Sequence, residues 1–407
     1  MIRLDKLRAI RRSGMVTFCG ILLLVGILLT HGATHGWVGA WQILDVPAAV
    51  PPFVDMHVIA DDAACAARGI DVYRDTSCDV YGRGFNYPPV WLALGHLGID
   101  GSDTVPLALV MDAAAAAVLV LLVRGRSIMV GLVVLAALAS PSVAVGFERG
   151  NCDLSIFALV GAAALLLDRE RRGRAAAAGV LLVGAIVLKL YPVATGISFA
   201  RSRRWTLTIA AVAACSLAYG VLIWPMLPLI RGNTDEIGGV YGATAFFAVP
   251  IGARLGADLP PFARTLIGEG VATAVLLAAA VAAWRSVRRG VAAYDLGAGT
   301  TSAAFQFGAG IYCLTFMLGS NYAYRLVFLL LLLPQIFDWI ESGIRLSRTA
   351  ALTLLLLMLG AMWVTIGTDA QELASQALHW ALFAGLAFVL WRDLIGSVPR
   401  LWSSEAL

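Results

Sequence analysis

The chain has 407 residues, 60% of them apolar and only 14% charged, with a mean hydropathy of +0.83. A soluble domain of this length rarely carries so little charge, so the composition argues against a soluble enzyme and for a polytopic membrane protein. The net charge of +4 arises from short basic clusters between apolar runs, with no extended basic stripe, so nucleic acid is not an expected partner.

The first apolar run, 15–33, follows Arg3, Lys6, Arg8, Arg11 and Arg12. No small-residue cleavage site comes after it and more runs follow, so it reads as a retained first helix and not a signal peptide. Further runs of about 20 residues, the length a hydrocarbon core of roughly 30 Å requires, lie at 104–123, 127–147, 152–168, 205–230, 265–284, 299–318, 325–340, 349–368 and 376–395. They predict an all-α, polytopic transmembrane helical bundle of about ten spans. The stretch 175–200 is different, because Gly179, Gly184, Lys189, Pro192 and Gly196 break both its helicity and its apolarity.

The basic clusters decide how that stretch runs. If 175–200 enters and leaves on one side as a hairpin of two half-helices, the clusters at 3–12, 124–126, 169–174, 201–204, 285–289, 345–348 and 392–400 all face the cytoplasm. If it spans once, every later cluster flips outward, against the positive-inside rule. The re-entrant hairpin is therefore expected, with Lys189-Leu190-Tyr191-Pro192 at its tip. Broken helices are tolerated at membrane depth only inside protein or beside a wet cavity. No repeat, low-complexity tail or second domain is visible, so 1–407 reads as a single membrane domain. The stretch 34–90 is its first extracytoplasmic loop.

That loop is acidic: Asp45, Asp55, Asp61, Asp62, Asp71, Asp75 and Asp79 stand against Arg68, Arg74 and Arg83. Pro51-Pro52 starts a helix and Gly69 stops it. Its apolar face, with Phe53, Val54, Val58 and Ile59, is suited to lying along the membrane. Asp55 and Asp62 share a face with Ile59 between them, and Asp61 points elsewhere. Pro88-Pro89 starts another helix. Cys65 and Cys78 can pair if the loop faces an oxidising compartment, or remain two free small residues. Cys152 has no obvious partner.

Four polar groups are expensive where they sit. Lys189, one of only two lysines in the chain, is a point charge suited to a phosphate. Glu148-Arg149-Gly150-Asn151 with Asp153 forms a tight turn between two runs. It reads either as a binding turn or as plain helix termination, with Asn151 capping the next helix and Glu148 pairing with Arg149. Asn321, Tyr324 and Arg325 form a second tight turn, in which Arg325 is a ligand group or an interfacial anchor. Asn86-Tyr87-Pro88-Pro89 places Tyr87 either at a site or in an aromatic belt. No metal spacing, phosphate-binding loop, dinucleotide fingerprint or serine-nucleophile motif is present, so neither metal nor cofactor is expected. His57 is off the face of Asp55 and reads as non-catalytic.

Taken in order, these motifs resemble the GT-C superfamily of polytopic glycosyltransferases, closest to the α-1,2-mannosyltransferase-like bacterial branch. The resemblance runs through Asp55, GxxVY at 69–73, NYPP at 86–89 and ERGNxDLxIF at 148–157. It continues with AGVLLxGxxxLKLYP at 178–192 and NYAYRLVFL at 321–329. It covers about 50–330 and is specific only as an ordered set. It implies that an acid of the first extracytoplasmic loop, here Asp55, is the catalytic base. It also implies that basic residues hold a polyprenyl-phosphate sugar donor, for which Lys189, Arg149 and Arg325 are the candidates. Glu148, Asn151, Tyr191, Asn321, Tyr324, Tyr87 and Asp62 complete the expected substrate-binding set. Asp55 is followed by Met56 and not by a second acid, which departs from the superfamily's frequent paired pattern.

The expectation is an inverting hexosyltransferase, with a mannose-type sugar. Its acceptor would be a lipid-linked or envelope glycan at the outer face of the cytoplasmic membrane, with membrane lipid around it. The competing reading is a lipid-sugar flippase or secondary transporter with Lys189 at a midplane site. Against it, no inverted repeat is visible, and most of the unpaired acids lie in the outer loop and not inside the spans.

Overall fold

The computed structural model describes residues 4–167, 172–201, 206–234, 241–248, 250–290, 296, 299–342, 344–364 and 368–402. The basic residues at 169–171 and 203–204, on which part of the expected topology rests, lie outside the described residues. The described residues are predominantly helical and form no strand; a single isolated bridge among them joins Tyr241 to Asn321. Among the described residues, seven helices are long and apolar enough to cross a membrane, or eight if Ile128–Leu138 and Pro141–Glu148, bent by 67°, count as one span. An all-α polytopic bundle is therefore what the chain forms. Of the runs expected to span, 152–168 appears as the shorter helix Asp153–Leu166, and 299–318 as Thr300–Met317, whose residues are almost all buried.

The chain divides into two compact units. The first comprises 1–162, 179–193 and 211–235, the second 163–178, 194–210 and 236–407. In the first unit the long helix Leu4–Gln42 packs on Ile128–Leu138 and on Thr104–Val123. One buried hydroxyl satisfies the turn between those two partners: Ser13 Oγ donates to the Val123 carbonyl at 2.8 Å and accepts from the Arg126 N–H at 2.8 Å. The sharp bend at 139–140 has a local cause. Ser140 precedes Pro141, which pushes it to extended backbone, and Pro141 opens the next helix, where a missing N–H does no harm.

The loop after the first helix carries a core of its own. Helix Val54–Ala67 ends as Gly69 enters left-handed space at φ +87. The Gly69 N–H reaches Ala66 O and the Ile70 N–H reaches Cys65 O, which satisfies two terminal carbonyls. Met56, Val58 and Ile59 pack with Val72, Tyr73, Phe85, Tyr87 and Trp91. The apolar face expected to lie along the membrane is thus covered by the loop's own chain, because the segment 70–92 folds back over it. Cys65 and Cys78 form a disulfide, and Asn233 Nδ2 ties the returning segment by donating to Tyr73 O and Phe85 O.

In the second unit Thr300–Met317 is the buried centre, packed by Ala323–Leu332, Leu333–Glu341 and Asp369–Trp402. Glycine permits the tightest approach: a Cβ on Gly308 would stand 2.5 Å from Phe328 O. The last helix shows no sequence motif, yet buries Glu372, Ser375, Gln376 and His379 on one helical face. The Tyr312 hydroxyl lies within hydrogen-bond reach of both His379 Nδ1 and His379 O.

Candidate active site

One tight turn organises the polar groups of the first unit. It follows helix Pro141–Glu148 and precedes helix Asp153–Leu166. Gly150 makes it possible, with φ +56 and a hypothetical Cβ only 2.8 Å from Ala108 Cβ and 3.1 Å from Phe53 Cβ. Phe53, itself at φ +56, sits directly over that glycine and leads into helix Val54–Ala67. Left-handed backbone at a bulky residue is uncommon and gathers at functional sites. It delivers Asp55 to the turn, where the Asp55 N–H donates to Arg149 O at 3.0 Å.

Asp55 is 7% exposed. Asn151 Nδ2 donates to Asp55 Oδ2 at 2.6 Å, and Arg149 Nη1 approaches Asp55 Oδ1 at 3.5 Å. The Asn151 amide has only one workable orientation. Its Oδ1 accepts the Asp153 N–H at 2.9 Å, so its NH2 must face Asp55. Asn151 caps the following helix, as one sequence reading had it, and its NH2 holds the loop carboxylate. Asp55 is thereby held as an acceptor of hydrogen bonds, with its carboxyl oriented by the turn.

Lys189 stands at the end of helix Arg172–Leu188. The terminal carbonyls of that helix are taken from outside: Tyr219 Oη donates to Val187 O at 2.8 Å and Trp91 Nε1 to Leu188 O at 3.1 Å. The helix dipole favours a cation there. Lys189 Nζ pairs with Asp153 Oδ1 at 2.5 Å and lies 5.3 Å from the centroid of the Tyr87 ring. Tyr87 is itself held, its carbonyl accepting the Tyr73 hydroxyl at 2.9 Å. The Cys152 thiol, fully buried, also sits beside the ammonium. Tyr191 is buried at the start of the 3-10 helix Tyr191–Arg201.

The structure thus brings Asp55, Arg149, Asn151, Lys189 and Tyr87 into one connected network. Glu148 does something else. Fully buried, it accepts from Ala49 N at 2.7 Å and Trp37 Nε1 at 3.2 Å, fastening the entry of the loop instead of pairing with Arg149. Asp62 lies two helical turns beyond Asp55, about 10 Å along the axis. It is almost fully buried, and its Oδ2 has no hydrogen-bond partner. Burial, with Asp79 and Asp61 nearby, lifts its carboxyl to about 7, partly offset by Arg83. Asp79 accepts from Tyr81 N and Arg83 Nε. His57 pairs with Asp61 at 2.6 Å. No group of three or more His, Cys, Asp or Glu among the described residues is placed to hold a metal ion.

The remaining candidates belong to the second unit. Asn321 pairs through its backbone with Tyr241, donates from Nδ2 to Thr315 O at 2.6 Å, and accepts from Arg325 Nη1. Tyr322 and Tyr324 stack with centroids 5.4 Å apart. Arg325 is therefore held by its own turn. Asp153 stood in the candidate turn but not in the expected substrate-binding set, and Trp91 and Asn233 lay outside the quoted motifs. Their partners are 36, 97 and about 150 residues away in sequence, which no local pattern reveals.

Among protein families, the model of glycosyltransferase family 87 matches residues 85–314. No curated protein and no solved structure matches the chain.

Proposed function

The chain belongs to glycosyltransferase family 87, a membrane glycosyltransferase of the GT-C type, and from that premise we propose that Asp55 is the base of an inverting transfer from a polyprenyl-phosphate sugar. The sugar is a mannose-type hexose and the acceptor a lipid-linked or envelope glycan. The site faces outward from the cytoplasmic membrane. Orientation is supported by the basic clusters of the sequence, which the positive-inside rule assigns to the cytoplasm, and by the Cys65–Cys78 disulfide, which suits an oxidising compartment.

The observation that carries this reading is the turn 149–153, which grips a buried carboxylate and, through Asp153, a buried ammonium. The acceptor hydroxyl attacks the anomeric carbon as its proton passes to Asp55. The bond from that carbon to the phosphate oxygen breaks, and the phosphate leaves with the electron pair. A phosphate monoester needs no protonation to leave, so no general acid is required. Lys189 and Arg149 stabilise the charge that develops on it.

The test is sugar transfer by wild type and Asp55→Asn in lipid, with a panel of polyprenyl-phosphate hexoses and a membrane lipid extract. Loss of turnover in Asp55→Asn with donor binding kept supports the assignment. Unchanged turnover moves the base elsewhere, Asp62 being the next acid on that helix face. Absence of turnover by wild type with every donor, together with passage of the lipid-sugar across the bilayer, replaces the reading with a flippase.

A further inference from the structure

We infer that Asp153 is a positioning residue, which holds the Lys189 ammonium charged and aimed for the donor phosphate; this rests on the transferase reading above. Asp153 is 1% exposed, and its Oδ1 meets Lys189 Nζ at 2.5 Å. A buried ammonium is stable as a cation only when it is partnered. Here the partners face it from two elements: Asp153 and Cys152 from the turn, and the Tyr87 ring from the loop. Of these only Asp153 has a carboxylate.

The two halves of residue 153 do different work. Its backbone N–H fixes the Asn151 amide, which in turn holds Asp55. Its side chain serves Lys189. Replacing the side chain by Asn leaves the backbone N–H in place, so the base keeps its setting while the cation loses its counter-charge. A merely structural role for Asp153 would instead weaken both ends together.

Two readouts test this. Binding of a short polyprenyl monophosphate to protein in lipid nanodiscs is titrated across pH 6–10, and transfer kinetics are measured separately for donor and acceptor. In Asp153→Asn the monophosphate should bind at least about tenfold more weakly, with affinity falling away at lower pH than in wild type. The donor KM should rise, while the acceptor KM and the acidic limb of kcat stay as in wild type. Asp153→Glu should restore the pH range while leaving affinity partly reduced. Wild-type monophosphate affinity and pH range in a folded Asp153→Asn overturn the inference. If Asp153→Asn does not fold, Asp153→Glu decides: monophosphate binding as weak as in Lys189→Gln across the whole pH range, despite the retained carboxylate, also overturns it. Failure of the parent reading looks different, because Asp55→Asn would then transfer sugar as well as wild type does.

Discussion

At the residue scale, the network around the turn separates holding from reacting. Asn151 cannot rotate its amide without setting its NH2 against the Asp153 N–H, so it presents a donor to Asp55 at all times. Asn151→Ala removes that donor and the cap of helix Asp153–Leu166 together. The expected result is kcat lowered about tenfold or more and a loss of about 1 kcal/mol in stability, read by steady-state kinetics and chemical denaturation. Asp55→Asn leaves the shape of the site and removes its proton acceptor. Turnover should fall by about 10²–10⁴-fold with donor binding retained. Asp62 bears on stability through its titration. Its carboxyl, raised to about 7 from an ordinary 3.8, is uncharged in both states below about pH 4. Between there and about 7 the unfolded chain ionises while the folded one keeps its proton, so stability falls as pH rises. Asp62→Asn should match wild type in thermal unfolding at pH 4 and exceed it at pH 8.

At the element scale, helix Val54–Ala67 is pinned at both ends by different means. Its start rests on Gly150, and Gly150→Ala forces a Cβ against Ala108 at a left-handed φ. That change should cost about 1–2 kcal/mol for the backbone alone and displace Asp55, so activity and stability fall together. Its end is held by the Cys65–Cys78 bridge, across a sequence separation of 13. Reduction should lower stability by about 2–4 kcal/mol. Transfer at low temperature should be largely kept, since Asp55 is held by the turn and not by the bridge. The sequence made the helix and its stop legible through Pro51-Pro52 and Gly69. It did not show what covers the apolar face, because Val72, Phe85 and Trp91 return to it only after the chain has turned back. An exposed apolar face and one covered by distant residues have the same local pattern.

At the scale of the whole molecule, orientation follows from where charge accumulates. A cysteine placed at Thr76, which is exposed in the loop beyond the helix, should react with a membrane-impermeant maleimide applied to intact cells. Labelling only after permeabilisation would put the loop on the cytoplasmic side. The sequence by itself determined the membrane class, the helical architecture and the ordered motifs, because apolar run length and charge clustering are local properties of the chain. Tertiary structure decided the rest. It showed that Asp55 meets Asn151, 96 residues away, and that Lys189 meets Asp153 instead of standing alone. It sent Glu148 to the loop entry, and it buried a polar face on a last helix that carried no motif. A partner for a buried charge is selected by packing among residues far apart in the chain, and no spacing along the sequence encodes that choice.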